Sequence, residues 1–178
     1  DNYRGAYRLI DHLAREHSYR DIAFISSNSK VTTVRERIKG YISALEDNLI
    51  PVNEDYIVEG GFDPMHGYKA TIRLLEMKSP PRAISASTSM YSIGILKAVN
   101  SKKLKIPEDV AVTSFDDYDF AEVMNPSITA LKRVDTLMGE KAAHIMLKLL
   151  SGRLEINKET IRIDTPLITR RSCGCDPR

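Results

Sequence analysis

Four short, mostly apolar runs recur at a spacing that constrains this chain's fold more than any other feature. They are "DIAFIS" (21–26), "YIVEG" (56–60), "AISAS" (83–87) and "DVAVTSF" (109–115), and they begin about 26 to 35 residues apart. Runs so short suit strands buried on both faces of a parallel sheet. Parallel neighbours need a long crossover between them, usually a helix, and helical patterns fill the gaps. Apolar residues recur at Val34, Ile38, Tyr41, Ile42, Leu45 and Leu49, which is helical spacing. A second helix is predicted from Pro64, a residue suited to a first helical turn, to Met77, and a third from Ser89 to Val99. The pattern predicts an α/β fold with a doubly wound parallel sheet.

The two ends break this rhythm. The chain opens in a helical pattern (Ala6, Leu9, Ile10, Leu13) with no strand before it. After the fourth strand come "SITAL", an amphipathic helix over 135–150, and an alternating stretch "ETIRIDTPLITR" (159–170) that reads as a last, partly exposed strand. The opening helix, "SITAL" and the helix after it fit poorly on a four-strand sheet and read as pieces of a second lobe.

Composition narrows the function. The 178 residues carry 26 basic and 24 acidic side chains, a net charge of +2, well mixed along the chain. No basic stripe is present to follow a phosphate backbone, so these residues are not expected to bind nucleic acid. There is no apolar run of about 18 residues and no signal-peptide pattern, so no membrane contact is expected. Dinucleotide, P-loop and serine-hydrolase motifs are missing, which leaves no catalytic residue to nominate. The four histidines have no spaced partner, and His12 and His17, five apart in one helix, are poorly placed to share a ligand. Cys173 and Cys175 form one C-x-C, too few ligands for a zinc site and too short a loop for an unstrained disulfide. Free thiols in a cytoplasmic protein, with no metal and no cofactor, are the expectation.

What remains is polar and aromatic chemistry at the carboxyl ends of strands, where open α/β sheets bind ligands. The first strand leads into "SSNSKVTTVRER", rich in hydrogen-bonding groups, with Arg35 and Arg37 entering the helix. The second leads into "GGFDPMHGY", which sets Phe62 in a glycine-preceded loop. The third ends at Thr88 and Ser89, a helix N-cap pattern. The fourth ends in the acids Asp116, Asp117 and Asp119. Four strand ends thus converge on one rim, where a ligand crevice is expected.

In order, "DNYRGAYRLIDHL", "DIAFIS", "RERIKGYISAL", "GGFDPMHGY", "KIPEDVAVTSFDD", "NPSITAL" and "LITRRSCG" resemble the effector-binding core of LacI/GalR-type transcriptional regulators. The most specific stretch is "IPEDVAVTSFDD" followed by "NPSITAL". The sequence departs from the family pattern at Thr88 and Ser89, usually Asn-Asp, at Ser114, usually Gly, and at "SSNS", usually glycine-rich. The ending "RRSCGC" resembles members whose core is joined to a later signalling domain.

The resemblance implies a periplasmic-binding-protein-like fold of type I, two α/β lobes with the effector between them. On that basis residues 18–125 and 157–172 are the complete carboxyl-terminal lobe, and 1–17 and 126–156 are elements of the amino-terminal lobe. A DNA-reading helix-turn-helix is then expected before Asp1, and DNA is a partner only through it. A homodimer and a small polar effector, sugar or nucleobase-like, are also implied. Carried onto matching positions, the ligand-binding residues are Arg37, Asp116 and Thr33, with Phe62 as a stacking aromatic and Asn28 and Thr88 beside them. Asp117 and Asp119 are expected to be solvated. Two other readings stand beside it: a periplasmic solute-binding protein, which shares the fold, and, from another class, a flavodoxin-like or sugar-processing enzyme using Asp116 as a base.

Overall fold

The computed structural model describes residues 1–152 and 160–176. Helix α1 (Asn2–Glu16) is followed by β1 (Ile22–Ser27), α2 (Thr32–Asp47), β2 (Ile57–Gly60), α3 (Pro64–Leu75), β3 (Ala83–Ala86), α4 (Ser89–Ser101) and β4 (Ala111–Ser114). Then come β5 (Thr129–Leu131), α5 (Asp135–Leu150) and β6 (Leu167–Ile168). The strands form one sheet in the order β2-β1-β3-β4-β5-β6, parallel throughout except for the last pair. The doubly wound parallel sheet predicted from the four apolar runs is therefore present, with helices on both faces.

Side chains alternate across each strand and supply two apolar layers. Ile22, Phe24 and Ala83 face α1 and α2, where they meet Leu13, Tyr41 and Leu45. Ala23, Ile25, Ile84 and Val112 face α3 and α4, where they meet Leu74, Tyr91 and Ile95. Phe24 and Tyr41 stack at 5.2 Å between ring centroids, and the Tyr41 hydroxyl donates to the Ile22 carbonyl at 2.8 Å. That bond satisfies a polar group which burial would otherwise make costly.

The ends of the chain correct the sequence reading. "SITAL" supplies β5, which pairs in parallel with β4 through Thr113 opposite Thr129 and Ser114 opposite Ala130. The opening helix packs on α2 and the same sheet, with Ala6, Leu9, Ile10 and Leu13 fully buried. Both therefore join the four-strand sheet instead of standing apart from it. They were misplaced because β5 is three residues long and reaches β4 without a helical crossover, so the βα rhythm does not register it.

The expected last strand shrinks to Leu167–Ile168. Upstream of it, Arg162 pairs with Glu36 of α2 at 2.9 Å and Asp164 with Arg8 of α1 at 2.9 Å. The alternating side chains reach helices, not a neighbouring strand. Glu159 and the proposed lobe junction at 156–157 lie outside the described residues.

Helix α5 matches its predicted span but buries no residue. Met138, Met146, Leu147 and Leu150 are exposed along it. Among the described residues no helix is long and apolar enough to cross a membrane.

Helices α3 and α4 approach closely at Gly94. A Cβ built there would lie 2.1 Å from the Pro64 carbonyl oxygen and 2.5 Å from the Tyr68 nitrogen, both rigid backbone atoms. Gly94→Ala should lower stability by about 1–3 kcal/mol through overpacking. Urea denaturation checks this, and an unchanged midpoint would contradict so close an approach.

Candidate functional site

In this strand order the chain leaves β1 toward β2 on one side and returns to β3 on the other. The loops after β1 and β3 therefore diverge and open a crevice at the carboxyl ends, the switch point of a doubly wound sheet. A cleft of about 510 Å³ lies there. Asn28, Thr33, Arg37, Phe62, Thr88 and Asp116, all six residues nominated from the sequence, line it. Ser27, Val31, Val34, Gly60 and Ser87 complete the wall.

Arg37 is held from four directions. Its Nε donates to the Asn2 side chain at 2.8 Å, and Nη1 donates to the Ser87 carbonyl. Its guanidinium carbon lies 3.6 Å above the centre of the Phe115 ring, a cation–π arrangement that sets the plane of the fork. An Asp116 carboxylate oxygen lies 3.8 Å from Nη1. Burial is the main influence drawing the Arg37 pKa below its usual value, and the Asp116 charge opposes it. These restraints preorganise a planar donor at the floor of the cleft.

Asp116 has the complementary problem. Burial raises its carboxyl above the usual carboxylate range, while Arg37 and the Ser89 backbone N–H hold it down. At 3.8 Å the ion pair is too long for a strong hydrogen bond. The carboxylate therefore keeps capacity to accept from a donor placed in the cleft. Burial and this looseness work against the charged form, and a ligand donor would favour it.

The remaining nominees surround this pair. The Thr88 hydroxyl accepts from the Met90 nitrogen at 3.1 Å, so it caps α4 as its sequence pattern predicts. Thr33 lies in the first turn of α2, one helical turn before Arg37. Asn28 accepts from the Lys30 nitrogen at 2.9 Å and shapes the turn into α2. The Phe62 ring, 67% exposed, stands at the mouth and meets Tyr91 edge-on at 6.0 Å.

A second cavity adjoins the first and shares Thr33, Arg37 and Asp116; Asn2, Arg133 and Asp135 also line it. Sequence reasoning missed Asn2 as a partner of Arg37, because the two residues lie 35 positions apart on different helices. No local spacing signals that contact.

Two expectations are corrected here. Asp117 is not solvated: its two carboxylate oxygens accept from Nη1 and Nη2 of Arg170 at 2.8 and 2.9 Å, and both side chains are largely buried. The histidines do not all stand alone either. At the opposite end of the sheet His12 and His17 meet Cys173 and Cys175. Asp119 is exposed, as expected.

Comparison with known proteins gives a consistent picture. The periplasmic binding protein-like domain family matches residues 10–173. The HTH-type transcriptional repressor PurR of Yersinia pestis (strain Pestoides F) is 30% identical over 175 residues, covering 98% of this chain and 51% of the repressor. The chain thus spans about half the length of the curated relatives it matches. Among solved structures, a sugar-binding LacI-family transcriptional regulator from Escherichia coli, complexed with phosphate, superposes with a TM-score of 0.86 at 27% identity, covering 97% of this chain and 61% of that one. The transcription regulator CcpA of Lactococcus lactis gives a TM-score of 0.87 at 25% identity, with 97% and 62% coverage.

The different settings of the acids after β4 separate their energetic roles. Asp117→Ala strands the Arg170 guanidinium in a largely buried position and should cost about 2–4 kcal/mol. Asp119→Ala should change stability by less than about 0.5 kcal/mol. Urea unfolding of the two variants is the measurement, and equal losses would contradict the distinction.

Proposed function

Because the chain belongs to the periplasmic binding protein-like domain family, in the form that makes up LacI/GalR-type effector-binding cores, we propose that it senses a small polar effector for a transcription regulator. The observation that carries this reading is the convergence of Arg37 and Asp116 with the Thr33, Asn28, Thr88 and Phe62 side chains on one cleft. A fixed fork of donors beside an acceptor with spare capacity suits a ligand bearing adjacent acceptors and hydroxyl or amino donors. Val31, Val34 and Phe62 offer apolar surface for a ring to lie on. A sugar or nucleobase-like compound meets both demands, and about 510 Å³ falls within the usual size of small-molecule sites. A related E. coli regulator described as sugar-binding supports the sugar class.

In this reading the effector is bound and released unchanged. The cleft lining contains no histidine, cysteine or lysine, and Lys132 lines the adjoining cavity that shares Asp116, not the cleft itself. Closure of a second lobe over the ligand would shift the balance between DNA-binding-competent and incompetent states, to the extent that the effector's affinities for the two differ. Residues 18–125 with 157–172 would form the carboxyl-terminal lobe, onto which α1 and β5 also pack, and the segment carrying α5 would reach toward the other lobe. DNA contact would belong to a helix-turn-helix outside these residues, as the description of the PurR relatives suggests.

The test is calorimetry on the full-length protein with a panel of pentoses, hexoses, sugar phosphates and purine bases. Arg37→Ala and Asp116→Ala should each weaken binding of the responding compound by about 2–5 kcal/mol, since each leaves buried polar groups unpaired. Asp119→Ala should leave it within about 0.5 kcal/mol. An equal loss from the Asp119 change would sink the assignment of the acid, and conversion of any compound to product would sink the non-enzymatic reading.

A homodimer forms part of the same proposal. The apolar side chains along α5 are uncovered in the single chain, and with no second lobe to cover them such a face favours association of these residues with another copy. Sedimentation velocity of the 178-residue chain at micromolar concentration should show a dimer or larger. A compact monomer that binds no hydrophobic dye would contradict it.

A further inference from the structure

The rim opposite the cleft gathers a chemistry that the proposed function does not use. The side chains of His12, His17, Cys173 and Cys175 place one ligand atom each within 4.8 Å of one another. His12 Nε2 lies 3.5 Å from the Cys173 sulfur and 3.6 Å from the Cys175 sulfur, and His17 Nε2 lies 3.2 Å from the Cys175 sulfur. We propose that these four residues form a Cys2His2 site that binds a zinc ion and ties the "SCGC" segment to the end of α1.

The distances suit such an ion. Zinc bonds of about 2.3 Å to sulfur and about 2.0–2.1 Å to nitrogen, arranged tetrahedrally, put sulfur and nitrogen ligands roughly 3.5 Å apart and two sulfurs roughly 3.8 Å apart. The three histidine–cysteine separations of 3.2 to 3.6 Å are thus already those of tetrahedron edges. All four ligand atoms lie within 4.8 Å of one another, so no pair has to close by more than roughly 1–1.5 Å. Protons alone can also join these atoms: His12 Nε2–H can face both sulfurs while Cys175 donates to His17 and Cys173 to the Arg170 carbonyl at 3.4 Å. What points to a cation is the convergence of two sulfurs and two imidazole nitrogens on one spot, the donor set of a tetrahedral zinc.

The backbone around the site holds these groups in place. His17, the C-cap of α1, lies in the right-handed region at φ −115°, ψ −1°, and is followed by the left-handed Ser18 at φ 56°. Its ring comes to 5.0 Å from that of His12, edge to face, although five residues of continuous helix would point the two apart. On the other side, Gly174 adopts the left-handed region at φ +104°, ψ 3°. That turn lets Cys173 and Cys175 both face α1, and a Cβ at Gly174 would lie only 3.2 Å from His17 Nδ1.

The short 3-10 turn Arg171–Cys173 is fastened to the sheet by Ser172. Its hydroxyl donates to the Val112 carbonyl at 2.5 Å and accepts from the Thr129 nitrogen at 2.9 Å. The Tyr19 hydroxyl donates to the Cys173 carbonyl at 3.3 Å. The Thr129 hydroxyl lies 3.0 Å from both the Cys173 sulfur and the Arg170 carbonyl, so its one proton would have to turn from the carbonyl to serve a thiolate as an outer-sphere donor.

Two thiolates and two imidazoles favour zinc over magnesium or calcium, which prefer oxygen. Four protein ligands leave no open coordination position, so the ion would be structural and not catalytic. On binding, each cysteine would release its proton to solvent and each imidazole would contribute the lone pair of Nε2. The site does not depend on the effector reading, because none of its four ligands lines the cleft.

The test uses full-length protein without a histidine tag, purified under reductant and free of chelator. Elemental analysis should find one zinc per chain. Replacing it with cobalt(II) should give the intense visible bands of a tetrahedral ion and ultraviolet thiolate-to-cobalt charge transfer. Cys173→Ser/Cys175→Ser and His17→Asn should abolish zinc retention while far-ultraviolet circular dichroism reports the fold, and Arg37→Ala on the opposite rim should retain the ion. Zinc removal should lower the melting temperature of the wild type. The proposal is overturned if the reduced wild-type protein takes up no zinc, if its cobalt form shows only the weak bands of an octahedral ion, or if the variants retain zinc as well as the wild type does. The wild-type arms stand even if a variant fails to fold.

Discussion

A parallel sheet whose strands are buried on both faces has to be covered by helices on both faces, and most of the molecule follows from that requirement. Each crossover brings the chain back to the same edge, so β1 to β4 all end on one rim. At such a rim polar residues accumulate without disturbing the two apolar layers. The switch between β1 and β3 then parts the loops, and the cleft opens where the covering helices diverge.

Within the cleft, Arg37 joins elements that are distant in sequence. Through one side chain α2 contacts Asn2 of α1, the carbonyl of Ser87 after β3, the Phe115 ring and the Asp116 carboxylate beyond β4. The arrangement does not neutralise its own charges tightly. Burial weighs against the charged form of both Arg37 and Asp116, and their ion pair is loose. Asp117, one residue along, has a close bidentate arginine partner. Adjacent carboxylates thus differ in kind: one ties the end of β4 to the segment after β6, and the other keeps capacity for a donor in the cleft.

The opposite rim is organised by chain reversal. Helix α1 ends there, the chain turns into β1, and the 3-10 turn after β6 returns to the same place. Two histidines from the first junction and two cysteines from the second meet because Ser172 pins the turn to β4 and β5. The two rims carry different side-chain chemistry: fixed donors and an acid at one, thiols and imidazoles at the other.

Much of the scaffold was legible in the sequence. The apolar runs and helical spacings identified β1 to β4 and α2 to α4, and the strand-end rule together with the family resemblance nominated Asn28, Thr33, Arg37, Phe62, Thr88 and Asp116, which line one cleft. These features are local periodicities, or they follow from a topology that local periodicity implies. Pairings between distant segments were decided only by the tertiary structure. β5 is too short to carry a pattern and depends on β4 for its hydrogen bonds. Asp117 looks like its neighbour Asp119 until Arg170, 53 positions away, closes on it. The Cys2His2 cluster draws on both ends of the chain, and its geometry depends on a helix that stops at Glu16 and a left-handed turn at Gly174. Sequence determines which residues can be buried and which must turn. Which distant side chains meet is decided when the sheet closes, because those contacts form only between elements that packing has already brought together.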